Sequence, residues 1–125
     1  MDDYRDSGKR MYQDAHSLYD SARYGTATHL FGLAAECAIK ASIKAQSAGS
    51  TNIPFKHIPE LIEDAKRLMS GRRRSHLLGL ISHPDYMNGW KIGNRYWSDQ
   101  LFSADVCKQY RDDAKRTLQA MNQGV

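Results

Sequence analysis

Residues 23–41 read RYGTATHLFGLAAECAIKA. Ala27, Leu30, Phe31, Ala34, Cys37, Ala38 and Ala41, followed by Ala45, recur at steps of three and four, which gives one helix a wide apolar face rich in small side chains. Thr26 or Thr28 suits its opening, because a hydroxyl can accept from the free N–H groups of a first turn. A face this broad must be buried, and its alanines let a second helix approach closely.

That second helix lies immediately upstream. Tyr4, Gly8, Met11, Ala15, Leu18 and Ala22 alternate by four and three, lining a packing seam on a long helix. Asp2 and Asp3 complement its dipole, and Gly25 is read as the break after Arg23-Tyr24. So short a connection predicts an antiparallel hairpin spanning Tyr4 to Ala45.

Beyond the hairpin, Ser47 to His57 has Ser, Gly, Asn and Pro54 without apolar period and reads as a loop. Pro59 suits the first turn of a third helix, whose Leu61, Ile62, Ala65, Leu68 and Met69 face ends before Gly71. A brief fourth helix is expected over Ser75 to Ile81. Ser82 to Trp97, with Pro84, Gly89 and Gly93, reads as an ordered loop pinned by Tyr86, Trp90 and Tyr96. Ser103 can cap a last helix carrying Cys107, Tyr110, Ala114, Thr117 or Leu118, and Met121. The expected fold class is all-α, an up-and-down bundle of four to five helices, with residues 1–125 as one domain.

Composition fits this. The chain has 125 residues, 41% hydrophobic and 26% charged, which is ordinary globular usage. No apolar run approaches the roughly 20 residues of a membrane span. Met-Asp-Asp-Tyr-Arg lacks the basic region and apolar core of a secretory signal, so the cytoplasm is the expected compartment and no membrane partner is expected. Eighteen Lys and Arg against 14 Asp and Glu leave +4, which permits anion or nucleic-acid binding without requiring it. Cys37 and Cys107 sit among apolar neighbours and read as core thiols. No His or Cys stands at metal-ligand spacing, so neither metal nor cofactor is expected.

Three pieces of sequence, in order, resemble the HEPN family of nucleotide-binding helical bundles. The first is Arg23-Tyr24, Ala27 and His29-Leu30 leading into Ala35-Glu36-Cys37-Ala38-Ile39-Lys40-Ala41. The second is His57-Ile58-Pro59-Glu60-Leu61, and the third is Trp90 followed by Arg95-Tyr96 before the last helix. Together they cover about Tyr4 to Met121. Glu36 and Lys40 are four apart in the orientation that favours an ion pair along the helix.

The resemblance implies a HEPN-like bundle with a long N-terminal hairpin that dimerises with a second copy. It also implies a role in a bacterial or phage conflict system of the toxin-antitoxin or antiphage kind. Members of the family are either metal-independent ribonucleases or non-catalytic modules that bind a nucleotide or a protein partner, often a nucleotidyltransferase or another defence protein. The ribonucleases carry an Arg and, after four to six residues, a His late in the bundle. Here Arg72, Arg73 and Arg74 stand too close to His76, and eight residues separate Arg74 from His83. The spacing occurs instead at Arg10 to His16 and at Arg23 to His29, each with five residues between. Six helical steps turn Arg10 and His16 apart, leaving Arg23 and His29 as the candidate catalytic pair.

Two further features can bind anions. Lys66, Arg67, Arg72, Arg73, Arg74 and His76 form a basic cluster around Gly71, which can track phosphates or hold an acidic partner, or can be a solvated turn. Arg95-Tyr96-Trp97, near Trp90, supplies a cation and aromatic faces that can stack a base, or else seals the end of the bundle.

Overall fold

The computed structural model describes residues 2–46, 52–69 and 76–122, and there it is all-helical. Helices α1 (Tyr4–Asp20), α2 (Tyr24–Gln46), α3 (Glu60–Met69), α4 (His76–Ile81) and α5 (Ala104–Asn122) are joined late in the chain by two 3-10 turns, Ile92–Tyr96 and Asp99–Leu101. None of the described helices is long and apolar enough to cross a membrane.

The hairpin forms as expected. Tyr4 meets Lys40, Gly8 meets Ala34 and Cys37, Tyr12 meets Phe31 and Tyr19 meets Tyr24, so α1 and α2 run antiparallel over their whole contact. Asp3 caps α1, its side chain accepting from the Asp6 N–H at 3.0 Å. The break lies three residues earlier than Gly25. Ala22 takes a left-handed conformation (φ 61°), and the Arg23 N–H reaches back to the Leu18 carbonyl at 2.9 Å. A left-handed residue after the last turn is a usual helix stop, although a side chain there costs roughly 1 kcal/mol relative to glycine. Helix α2 therefore opens at Tyr24, not at Thr26 or Thr28, and Gly25 lies inside its first turn.

Helix α2 is the axis of the fold. Its buried residues, among them Ala27, Thr28, Phe31, Ala34, Ala35, Glu36, Ala38, Ile39, Ser42 and Ile43, fall on nearly every side. A helix buried all round needs neighbours all round, and α1, α3, α5 and both 3-10 turns supply them. Ser103 caps α5 by accepting from the Val106 N–H at 3.1 Å. Cys107 lies beside Thr28, while Leu118 and Met121 pack on Ala38, so α5 runs parallel to α2. Cys107 is a buried core thiol and Cys37 is half-buried, and burial pushes both thiols up from their ordinary pKa.

Glu36 does not make the expected pair with Lys40. Its carboxylate is 3% exposed and accepts from the Ile58 N–H at 2.8 Å, with the His57 ring Nδ1 at 2.9 and 3.1 Å from its two oxygens. A carboxylate only accepts, so the imidazole proton sits on Nδ1. Lys40 instead lies over the Tyr4 ring at 5.8 Å. Burial raises the Glu36 pKa, while His57, the Ile58 N–H and the charge of Lys40 pull it back. The carboxylate thus fastens the chain after the hairpin to α2, just before α3 begins.

Residues 82–97 fold back onto α2 and α5. The Tyr86 hydroxyl bonds to Thr117 Oγ1 at 2.7 Å, and since Thr117 itself donates to the Asp113 carbonyl, Tyr86 is the donor. Asp113 accepts from the Met87 N–H at 2.9 Å. The Trp90 indole is buried in a notch at Gly32, where an added Cβ would lie 1.8 Å from Trp90 Cε2, and its Nε1–H donates to the Thr28 carbonyl at 3.0 Å. Tyr86 and Trp90 are therefore pins as expected. Tyr96 is not, being 77% exposed.

Two stability tests follow from these contacts. Gly32→Ala forces Trp90 out of its notch and is expected to cost about 1–3 kcal/mol in urea unfolding. Gly79→Ala, with open space around its Cβ in α4, is expected to gain about 0.5–1 kcal/mol. Equal midpoints for the two variants would refute the notch. Glu36→Ala leaves the buried Ile58 N–H without an acceptor and is expected to cost ~1–3 kcal/mol, with Glu36→Gln retaining part of the loss. An unchanged midpoint for Glu36→Ala would show that the carboxylate is no anchor.

Candidate functional site

Gly32 and Trp90 decide what lies above them. With the indole seated, the next residues close over the N-terminal half of α2 and leave a cavity of about 410 Å³. One wall is the first turns of α2, with Gly25, Thr26 and His29. The other is the two 3-10 turns, which contribute Asn94 to Trp97, Asp99 and Phe102. Gly25 is needed for this approach, because a Cβ there would lie 2.8 Å from Asp99 Oδ1.

The His29 ring stacks on Trp90 with centroids 6.3 Å apart and planes 12° from parallel. Burial lowers its pKa first, and the charges of Arg95 and His57 lower it further. At neutral pH the imidazole is neutral, able to accept a proton or a hydrogen bond. Arg95 donates from Nη1 to the Ile92 carbonyl at 2.6 Å and lies over the Tyr96 ring at 4.3 Å. Trp97, half exposed, stacks on Phe102 at 6.3 Å. Each ring thus has one face covered, by Arg95 and by Phe102, while Tyr96 remains 77% and Trp97 50% exposed.

Three buried side-chain polar atoms have no hydrogen-bond partner among the described residues: Thr28 Oγ1, His29 Nδ1 and Asn94 Oδ1. His29 and Asn94 line the cavity, whereas Thr28 does not line it and has the Cys107 thiol beside its side chain. Asn94 is only 4% exposed, and its Nδ2 is committed to the Gly89 carbonyl at 3.1 Å, which fixes the amide so that Oδ1 is the free end. Buried acceptors are rarely left without a donor, and such exceptions concentrate where a ligand or water completes the set.

The candidates read from sequence are divided by this geometry. His29, Arg95 and Tyr96 come together in the cavity. Arg23 stands just before α2 and is exposed, and the guanidinium on the cavity beside His29 is that of Arg95. In the basic cluster, Arg72, Arg73 and Arg74 lie outside the described residues. Lys66 pairs with Glu63 at 3.5 Å and Arg67 with Asp64 at 3.5 Å, so acids interleave its helical part, while His76 is exposed at the start of α4. Lys56 also reaches Asp64, at 2.9 Å, and holds its carboxyl below the usual range. Arg10 and His16 do part, His16 standing 3.8 Å from Asp20 and stacking on Tyr12.

Asn94 and Asp99 were not legible as site residues. Neither belongs to a periodic pattern, and each is brought to the cavity only by the closure of the loop on Trp90. No family model, curated protein or solved structure matches this chain.

The electrostatics can be checked directly. The His29 imidazole is expected to titrate below its ordinary value of 6.5 in an NMR pH titration, and Arg95→Ala is expected to move it part of the way back. Because the folded pKa is the lower one, the unfolded chain binds more protons, so His29 contributes a loss of stability as pH falls below 6.5. Titration at or above 6.5 would contradict the buried environment.

Proposed function

We propose that this chain is a HEPN-like protein of a bacterial or phage conflict system that binds RNA or a nucleotide, and that it does so in the cavity between α2 and the 3-10 turns. The observation that supports this reading most is the grouping of His29, Arg95, Tyr96 and Trp97 on one opening. Base stacking on aromatic side chains is worth about 1–3 kcal/mol per base, and the Tyr96 and Trp97 faces are open to it. Arg95 is already oriented by the Ile92 carbonyl, which reduces the ordering needed to hold a phosphate. The cavity volume lies within the ordinary range of small-molecule sites. The basic cluster from Lys66 to His76, including Arg72, Arg73 and Arg74, extends the proposal to a longer strand.

Metal-independent cleavage belongs to the same proposal only through His29. A neutral imidazole can take a proton from an attacking hydroxyl, and a nearby guanidinium can steady the phosphate. Arg95 is better placed for that than Arg23. A second reading, a non-catalytic module docking on its own copy, a nucleotidyltransferase or another partner, draws on Trp97, Leu101 and Val106, which are large apolar side chains left exposed.

Binding of labelled RNA at low salt is expected to weaken as salt rises, and to fall roughly tenfold or more in Trp97→Ala and in Arg95→Ala. Changing Arg72, Arg73 and Arg74 together to Ala should flatten the salt dependence. If the protein cuts RNA, EDTA leaves cutting intact and His29→Ala abolishes it. Absence of RNA and nucleotide binding at low salt, with a protein partner recovered through the Tyr96 to Val106 surface, would replace the first reading with the second.

A further inference from the structure

The cavity is unusual in its acceptors. Asp99 brings a carboxylate against the first turn of α2, where the end of the helix favours negative charge. Asn94 brings a buried Oδ1 that no described residue pairs, on an amide whose other end is tied to Gly89. A ligand seated here must therefore offer N–H donors on one side and accept from Arg95 on another. Its ring must be planar, to lie against Trp97 or Tyr96.

The nucleobases differ sharply in this respect. Adenine and cytosine each present one amine beside a bare ring nitrogen, whose lone pair would face the carboxylate unfavourably. Uracil presents a single N–H between two carbonyls. Guanine alone offers two adjacent donors, N1–H and the 2-amino group, which match the two oxygens of a carboxylate.

We propose that the cavity selects guanine, with Asp99 accepting from N1–H and the 2-amino group, Asn94 Oδ1 accepting from a remaining donor of the nucleotide, Trp97 stacking on the ring and Arg95 holding the phosphate. This rests on the reading of the cavity as a nucleotide site. It adds a specificity that the basic residues cannot provide, since phosphate contacts carry no base information.

The test is titration of the whole chain with GMP, IMP, AMP, CMP and UMP at low salt, followed by tryptophan fluorescence. GMP is expected to bind most tightly. IMP lacks only the 2-amino group and is expected to bind about tenfold more weakly, since one donor facing a charged acceptor is worth about 1.4 kcal/mol or more. Asp99→Asn is expected to erase the advantage of GMP over AMP, with a melting curve confirming that the variant folds. The comparison of GMP with IMP needs no variant and stands if Asp99→Asn does not fold. Equal binding of all five nucleotides, or a GMP preference that survives Asp99→Asn, overturns the guanine assignment and leaves the nucleotide site standing. No binding of any nucleotide or RNA overturns both.

Discussion

The insertion of Trp90 into the notch at Gly32 is the constraint on which the rest depends. A helix as buried as α2 has to be covered on every side, and the stretch after α4 covers it without forming a long helix of its own. It manages this by burying one large indole where α2 has no side chain at all. The indole N–H then takes the Thr28 carbonyl, and its ring face takes His29. Such an interlock tolerates little change in volume, because protein interiors are packed to crystal-like density. His29, whose ring stacks on the indole, lines the cavity together with Asn94.

Glu36 plays the corresponding part farther along α2. A buried carboxylate is expensive unless its oxygens are filled, and here a backbone N–H and an imidazole N–H fill them. The group holds the chain that leaves the hairpin and returns it to α2 as α3. Together the two anchors hold the segment before α3 and the loop after α4 against α2. His29 reaches the cavity from α2 and Asn94 from that loop.

The helices were legible because their signals are local. Asp3 and Ser103 cap the helices they were expected to cap or complement, and the steps of three and four in α1, α3 and α5 mark the faces turned to the core, whereas in α2 burial runs beyond the expected face to Thr28, Ala35, Glu36, Ile39, Ser42 and Ile43. What failed was tertiary. Gly25 looked like a helix break, but a left-handed Ala22 supplies the break and Gly25 serves the approach of Asp99. Glu36 and Lys40 looked like a surface pair because spacing along a helix cannot reveal that His57 and Ile58 arrive from another segment. Tyr96 resembled Tyr86 and Trp90 as a pin, and only the folded loop separates two buried aromatics from an exposed one. At the site, Arg95 and Tyr96 were identified by residue type, whereas Arg23 and His29 were selected together by spacing, and only His29 lines the cavity. Asn94 and Asp99 carry no sequence signal beyond their neighbours.

The proposed ligand site lies between the N-terminal half of α2 and the 3-10 turns. Amide and side-chain NMR shifts recorded while a nucleotide is titrated into the labelled protein test it most directly. The largest changes are expected on the His29 ring, the Asn94 side-chain amide, Arg95 and the Trp97 indole. Saturable changes confined to Lys66–His76, or spread evenly over the surface with the cavity unmoved, would contradict it.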